Sequence, residues 1–350
     1  MNRFLKEILE QPESFSATLE HYASAKGENV LKKVGKLFQT RGFQQIVFTG
    51  MGSSFFTSYA ASCLFNSLGI RSFAVNTSEL LYYHFSSITE KTLLVCSSQS
   101  GESIEVVKLL DVLPKNVVAV GITNEEASSL RAKAREVLLI KAGREEMTST
   151  KTYTSTMLLM FIFGWSLAGL WGTEKISQIR KLVTDVEEFL AGYQGMVEDL
   201  IGFMGEISFL QFIGRGPSYA TALQSELMLK EAAKIPSAGT LGGEFRHGPM
   251  EMVGPEFKAV LFAADGKTYS QSVRMAADIA KYQGKAIVIA NRDPQLAGPG
   301  IRTITIPQAD EYLFSIRSII PVQLLTNYLA VAAGYDAGSF VHGGKVTLTE

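Results

Sequence analysis

The chain is poor in the residues that usually announce special chemistry. It has two cysteines, two tryptophans and four histidines in 350 residues, and 33 basic side chains nearly cancel 34 acidic ones. A net charge of −1 carries no electrostatic footprint for nucleic acid or an anionic membrane surface. Cys63 and Cys96 sit inside apolar stretches with neither CxxC spacing nor a neighbouring histidine, so both read as buried, reduced thiols. His21, His84, His247 and His342 are scattered without ligand spacing, and no metal site is expected. Long apolar runs are missing too. The longest, Met157 to Gly172, is interrupted by Gly164, Ser166 and Gly169; it falls short of the roughly 20 residues that span a bilayer and reads as a buried core helix. Lys6, Glu7 and Glu10 break up the N-terminus, so no signal peptide is expected and the cytoplasm is the expected compartment.

What is present is a soluble composition, 46% hydrophobic and 19% charged, and a repeat. Residues 1–41 carry helical periodicity through Phe4, Ile8, Leu19, Tyr22, Leu31 and Val34, which predicts a helical arm. β-branched runs at 45–49, 72–75, 92–96, 117–122 and 136–140 then alternate with helical segments, and a second series follows at 208–213, 258–263, 286–290 and 302–306. Strands separated by crossover-length helices predict parallel sheets. The segment from Ile46 aligns with that from Leu210 at an offset of 164: Gly50 with Gly214, Gly52 with Gly216, Ser54 with Ser218 and Thr57 with Thr221. The predicted architecture is therefore α/β, two tandem units each with a parallel sheet between helical layers. Their expected bounds are 42–173 and 207–335, joined by helix at 174–206 and followed by a tail at 336–350.

A dinucleotide fingerprint would need a third glycine and a later acidic residue after Gly-x-Gly; Phe55 and the Val75-Asn76 strand end stand there instead. The more informative segment is Ser97-Ser98-Gln99-Ser100-Gly101-Glu102-Ser103, between a strand and a helix. Amides at a helix N-terminus together with clustered hydroxyls form a phosphate site. The competing reading makes the same serines, with Glu102, simple helix caps. In the second copy the corresponding residues are Ala263-Ala264-Asp265-Gly266-Lys267, and the hydroxyls are gone. That copy instead offers Glu231 and, sixteen residues on, His247 in Glu244-Phe245-Arg246-His247-Gly248-Pro249. A carboxylate base for proton transfer between adjacent sugar carbons, and an imidazole for ring opening, are what sugar isomerisation needs. Each also has a plain reading, as a solvated helix-end glutamate and a histidine bonded to a carbonyl.

Together with Lys6 to Pro12, Ser149-Thr150-Lys151, Leu229-Lys230-Glu231 and Lys345-Val346-Thr347, these segments resemble the sugar isomerase (SIS) domain proteins, especially the isomerase half of glucosamine-6-phosphate synthase. The resemblance covers nearly the whole chain. It implies that Ser54, Ser98, Gln99, Ser100 and Ser103 hold the phosphate, with Ser53 and Ser149 on the sugar. It further implies Glu231 as the base acting between C1 and C2, His247 as the ring opener contributed across a homodimer interface, and Lys345 as the lysine that forms a Schiff base with the ketose. No cofactor is implied. Without a glutaminase segment and its N-terminal cysteine, synthase activity is not expected. Met228 stands where the synthase has a lysine three residues before its base. Three readings stay open: an isomerase or deaminase of a hexosamine 6-phosphate, a deglycase of phosphorylated Amadori compounds, which share the lack of that lysine, and a non-catalytic sugar-phosphate sensor.

Overall fold

The computed structural model describes residues 1–350 except Leu348 and Glu350. It divides into two compact units, one formed by residues 10–183 with 341–350, the other by 1–9 with 184–340.

In the first unit five parallel strands lie in the order β2-β1-β3-β4-β5: β1 Gln45–Gly50, β2 Ser72–Asn76, β3 Thr92–Ser97, β4 Val118–Thr123 and β5 Glu136–Leu139. β3 and β4 are buried along their whole length, which is why they read as continuous apolar runs rather than alternating ones. Val47, Leu94, Cys96, Val106, Leu109 and Leu130 form one core cluster against the sheet. Burial pushes the Cys96 thiol up to about 12, an inert side chain, while Cys63 is only half-buried. The run expected as a core helix is the helix Lys151–Leu167, buried at every residue from Lys151 to Trp165.

The second unit repeats the plan. Its strands β6 Leu210–Gly214, β7 Ser237–Leu241, β8 Lys258–Ala263, β9 Lys285–Ala290 and β10 Ile301–Thr305 lie in the order β10-β9-β8-β6-β7. Read from the other edge this is the order of the first sheet, and every pairing is parallel. The two three-layer α/β/α units are thus one topology used twice. Strand β7 is absent from the sequence expectation because Ser-Ala-Gly-Thr-Leu is weak in β-formers, although the 164-residue offset carries β2 onto it.

Both copies use their Gly-x-Gly alike. A Cβ on Gly50 would lie 2.8 Å from the Ser54 backbone, and one on Gly214 would lie 2.2 Å from the Ser218 carbonyl. Gly52 and Gly216 both take positive φ, at 48° and 53°, open to glycine at little steric cost. The predicted arm is three helices, Arg3–Leu9, Gln11–Ala23 and Ala25–Arg41. Pro12 starts the second, and Ser24 caps the third by accepting from the Gly27 amide. The helix expected over 174–206 breaks at Gly192 into Thr173–Ala191 and Tyr193–Met204. Among the described residues no helix is long and apolar enough to cross a membrane.

Candidate functional site

The carboxyl ends of β1 and β3 and the start of the helix Lys151–Leu167 enclose a cleft of about 210 Å³, including open solvent, lined by Ser53, Ser54, Thr57, Gln99, Ser149, Thr152, Tyr153 and Thr156. Seven of these eight side chains carry a hydroxyl and none is charged. Four were candidates on sequence grounds: Ser53, Ser54, Gln99 and Ser149. Thr57 was visible only as a repeat position. Thr152 and Thr156 follow from helical spacing once the helix start is known, because residues four apart share a face.

The serine loop is held from within. The Ser98 hydroxyl, 1% exposed, lies 2.9 Å from that of Ser103 and accepts from the Gly101 amide at 3.1 Å. Ser100 Oγ accepts from the Glu102 amide at 3.2 Å. The Gln99 carbonyl accepts from Thr123 Oγ1 and from the Asn124 amide. Ser103 is the N-cap of the helix Ile104–Val112 but makes no side-chain capping bond. Glu102 turns away to accept from the amide and hydroxyl of Ser129 at 2.6 and 2.7 Å. The loop therefore does not spend its hydroxyls on capping its own helix.

Glu145, which no sequence signal marked, joins the wall of the cleft to the C-terminal tail. Its side chain is fully buried, and Lys345 Nζ lies 2.7 Å from Oε2. Burial by itself pushes this carboxyl up, but the Lys345 charge, with hydrogen bonds from Lys345 and Thr152, more than offsets it and holds the group below the usual carboxylate range. Lys151, the lysine of the Ser-Thr-Lys segment, points elsewhere, to Glu10 at 2.6 Å. Lys345 is therefore part of a buried polar network rather than a solvated tail end.

In the second unit Glu231 is half-buried and lies in a single π-helical turn, Leu229–Ala233, that follows the helix Ser218–Met228. Such turns are rare and recur at functional sites. Lys234 closes the turn in the left-handed conformation with φ 58°, and its ammonium bonds the carbonyls of Glu231 and Ser339. Met228 is fully buried. His247 is exposed at the end of the helix Gly242–Arg246, its amide bonded to the Glu244 carbonyl. Along the chain Glu231 precedes β7 and His247 follows it. Among the described residues no group of His, Cys, Asp and Glu is placed to hold a metal ion.

Comparison with known proteins extends these observations. The SIS domain model matches residues 41–164 and 208–333. The chain is 30% identical over 344 residues to glutamine–fructose-6-phosphate aminotransferase (isomerizing) of Gloeobacter violaceus, covering 95% of this chain and 56% of that protein. To the human aminotransferase 2 of the same name it is 27% identical over 342 residues, covering 95% and 50%. The chain spans about half the length of these curated relatives. Among solved structures, the C-terminal domain of glucosamine-fructose-6-phosphate aminotransferase from Francisella tularensis superposes with TM-score 0.85 at 23% identity, covering 97% of this chain and 98% of that one. Glucosamine-6-phosphate deaminase from Thermotoga maritima does so with TM-score 0.77 at 24% identity, covering 98% and 99%. At these identities the two structures establish a common fold.

Proposed function

The chain belongs to the SIS domain family, and on that premise we propose that it is a cytoplasmic phosphosugar isomerase or deaminase acting on a hexosamine 6-phosphate or a related ketose or aldose 6-phosphate. The observation that carries the reading is the uncharged, hydroxyl-lined cleft beside a helix whose first turn its own serines leave uncapped. Hydroxyls and backbone amides suit both a phosphate and a polyol without the charge a nucleotide or metal site would bring.

In this reading Ser54, Ser98, Gln99, Ser100 and Ser103 bind the phosphate, and Ser53 and Ser149 the sugar hydroxyls. His247 moves the proton that opens the ring. The Glu231 carboxylate then takes a proton from the carbon next to the carbonyl and returns it to the neighbouring one, exchanging aldose and ketose. With glucosamine 6-phosphate as substrate, moving the C2 proton to C1 leaves an imine at C2, which water hydrolyses to fructose 6-phosphate and ammonia. A homodimer with shared sites is part of this reading, with His247 contributed by the partner copy.

Met228 favours a second reading. No lysine stands three residues before Glu231 to assist proton transfer, as in the deglycases that cleave a phosphorylated Amadori compound to glucose 6-phosphate and a free amine. Incubation with glucosamine 6-phosphate and, separately, with fructose-lysine 6-phosphate, followed by mass spectrometry, decides between them. Ammonia with fructose 6-phosphate supports the deaminase, and free lysine with glucose 6-phosphate the deglycase. Inertness toward both, with tight binding of the sugar phosphate, removes the deaminase and the deglycase and leaves a sensor or an enzyme of another sugar phosphate.

A further inference from the structure

Lys234 stands three residues after Glu231, where the chain leaves the π-helical turn. A helix leaves its last carbonyls without partners of its own, and the residue that turns the chain there in the left-handed conformation is usually glycine or asparagine. Here a lysine does it, at φ 58°, and its two ends close the turn separately. The Lys234 amide donates to the Leu229 carbonyl, and the Ile235 amide donates to the same oxygen at 3.4 Å. The side-chain amine folds back over the turn and donates to the Glu231 carbonyl.

A lysine near a helix end often bonds a terminal carbonyl; the second acceptor sets this one apart. The same nitrogen donates to the Ser339 carbonyl at 2.9 Å, across 105 residues of sequence. Ser339 closes a tight turn of its own, its amide and hydroxyl both donating to the Asp336 carbonyl at 3.0 and 2.7 Å. That turn follows the helix Ile320–Ala332, on which the π-helical turn packs. Two residues after Ser339, from Val341 onward, the chain groups with the other unit. One amine thus holds the backbone of Glu231 to the last turn of its own unit. Glycine would enter the left-handed conformation at little steric cost but would bring no donor. The backbone alone therefore favours glycine, and the two carbonyl bonds account for the lysine.

We propose that Lys234 is a positioning residue for the base: by clamping the Glu231 carbonyl to that of Ser339 it fixes the direction in which the Glu231 side chain leaves the π-helical turn. The same clamp makes that direction depend on the turn from which the C-terminal tail starts. Proton transfer needs the base held close to its productive geometry, so loss of the clamp lowers kcat and leaves substrate binding alone. The effect on turnover rests on the reading of Glu231 as base; the clamp does not.

Two variants of the full chain separate the amine from the backbone. Lys234→Gly relieves the positive φ and removes the amine, whereas Lys234→Met keeps the length of the side chain and its backbone cost and removes the amine alone. The first measurement is hydrogen exchange of the ligand-free protein, read by mass spectrometry on a peptide covering residues 335–341, remote in sequence from the substitution. Exchange there should be at least about threefold faster in both variants than in the native chain, with the serine-loop peptide 98–103 unchanged. Native exchange at 335–341 in either variant overturns the proposal. The second is steady-state turnover of glucosamine 6-phosphate or fructose-lysine 6-phosphate, whichever the native chain converts. In both variants kcat should fall about 10–100-fold with KM within about twofold, although Tm should be higher in Lys234→Gly than in Lys234→Met. A kcat that follows Tm instead, with Lys234→Gly as active as the native chain, shows a merely structural role and also overturns the proposal. A native chain inert toward both substrates counts against Glu231 as base, and the exchange ratio then decides the clamp by itself.

Discussion

The two units build the same sheet in the same strand order, yet they treat the loop after the third strand in opposite ways. After β3 the serine loop keeps its hydroxyls among themselves and leaves its helix without a side-chain cap. After β8 the corresponding loop is filled by the protein itself: Glu311 Oε1 accepts from the Lys267 amide at 2.9 Å, and a Cβ on Gly266 would lie 2.1 Å from that oxygen. Asp265 is tied down as well, to Asn291, Gln308 and Arg292. An internal carboxylate in one copy occupies ground that the other leaves to hydroxyls. Duplication preserved the scaffold, and the loops divided the work.

If the division is binding in the first unit and proton transfer in the second, substitutions should separate kcat from KM. Glu231→Gln has the largest expected effect. Removing the base should lower kcat by about 10²–10⁴-fold while the Kd for the sugar phosphate, measured by calorimetry, stays within about twofold. A matching loss of affinity would break the comparison.

The loop glycines sharpen it. Gly101 has φ +69°, and a Cβ there would lie 2.3 Å from Ser128 Oγ. Gly101→Ala should cost about 2 kcal/mol of stability and raise KM by distorting the serine loop. Gly266→Ala only displaces the flexible Glu311 side chain and one hydrogen bond, so it should cost about 1 kcal/mol and leave KM alone. Thermal unfolding together with steady-state kinetics on both variants reads the contrast.

Acid should act on the first unit through Glu145. Its carboxyl is held below the usual range in the folded chain, because the Lys345 charge and the donors around it more than offset burial. A carboxyl lowered by folding contributes stability that is present above its unfolded value and lost as pH falls through the folded one. Tm should therefore drop more steeply on acidification below about pH 4.3 in the native protein than in Glu145→Gln. Parallel profiles would show that the pair contributes nothing to folding.

Much of this was legible in the chain, for physical reasons that differ by residue. Buried parallel strands such as β3 and β8 need apolar side chains on both faces, so they stand out without an alignment. The Gly-x-Gly turns are fixed by close helix approach and positive φ, constraints that duplication could not relax. The π-helical turn under Glu231 was not legible, because a one-residue widening of a helix leaves no trace in hydrophobic spacing. Neither was Glu145, since Arg144-Glu145-Glu146 has the composition of a solvated loop and only the fold shows that its middle residue is buried. The tail was read as a separate segment, whereas Val341–Glu350 groups with the first unit and Met1–Leu9 with the second. Segments of ten residues or fewer carry too little periodicity to reveal what they pack on.

The smallest expected effect tests the serine loop itself. Ser100 is half-buried, and its hydroxyl accepts from the Glu102 amide while keeping its own proton to donate. Ser100→Ala removes one donor to a phosphate oxygen, and a hydrogen bond to a charged group is worth about 1.5–3 kcal/mol. Part of that returns when water solvates the amide, leaving a net loss of about 1 kcal/mol, or roughly fivefold in KM, with kcat and Tm unchanged. Inorganic phosphate should lose affinity as an inhibitor by the same factor, because the lost contact is to phosphate and not to sugar. A change in KM without a change in phosphate inhibition would move Ser100 to the sugar side of the cleft and leave the phosphate to Ser98, Gln99 and the helix amides.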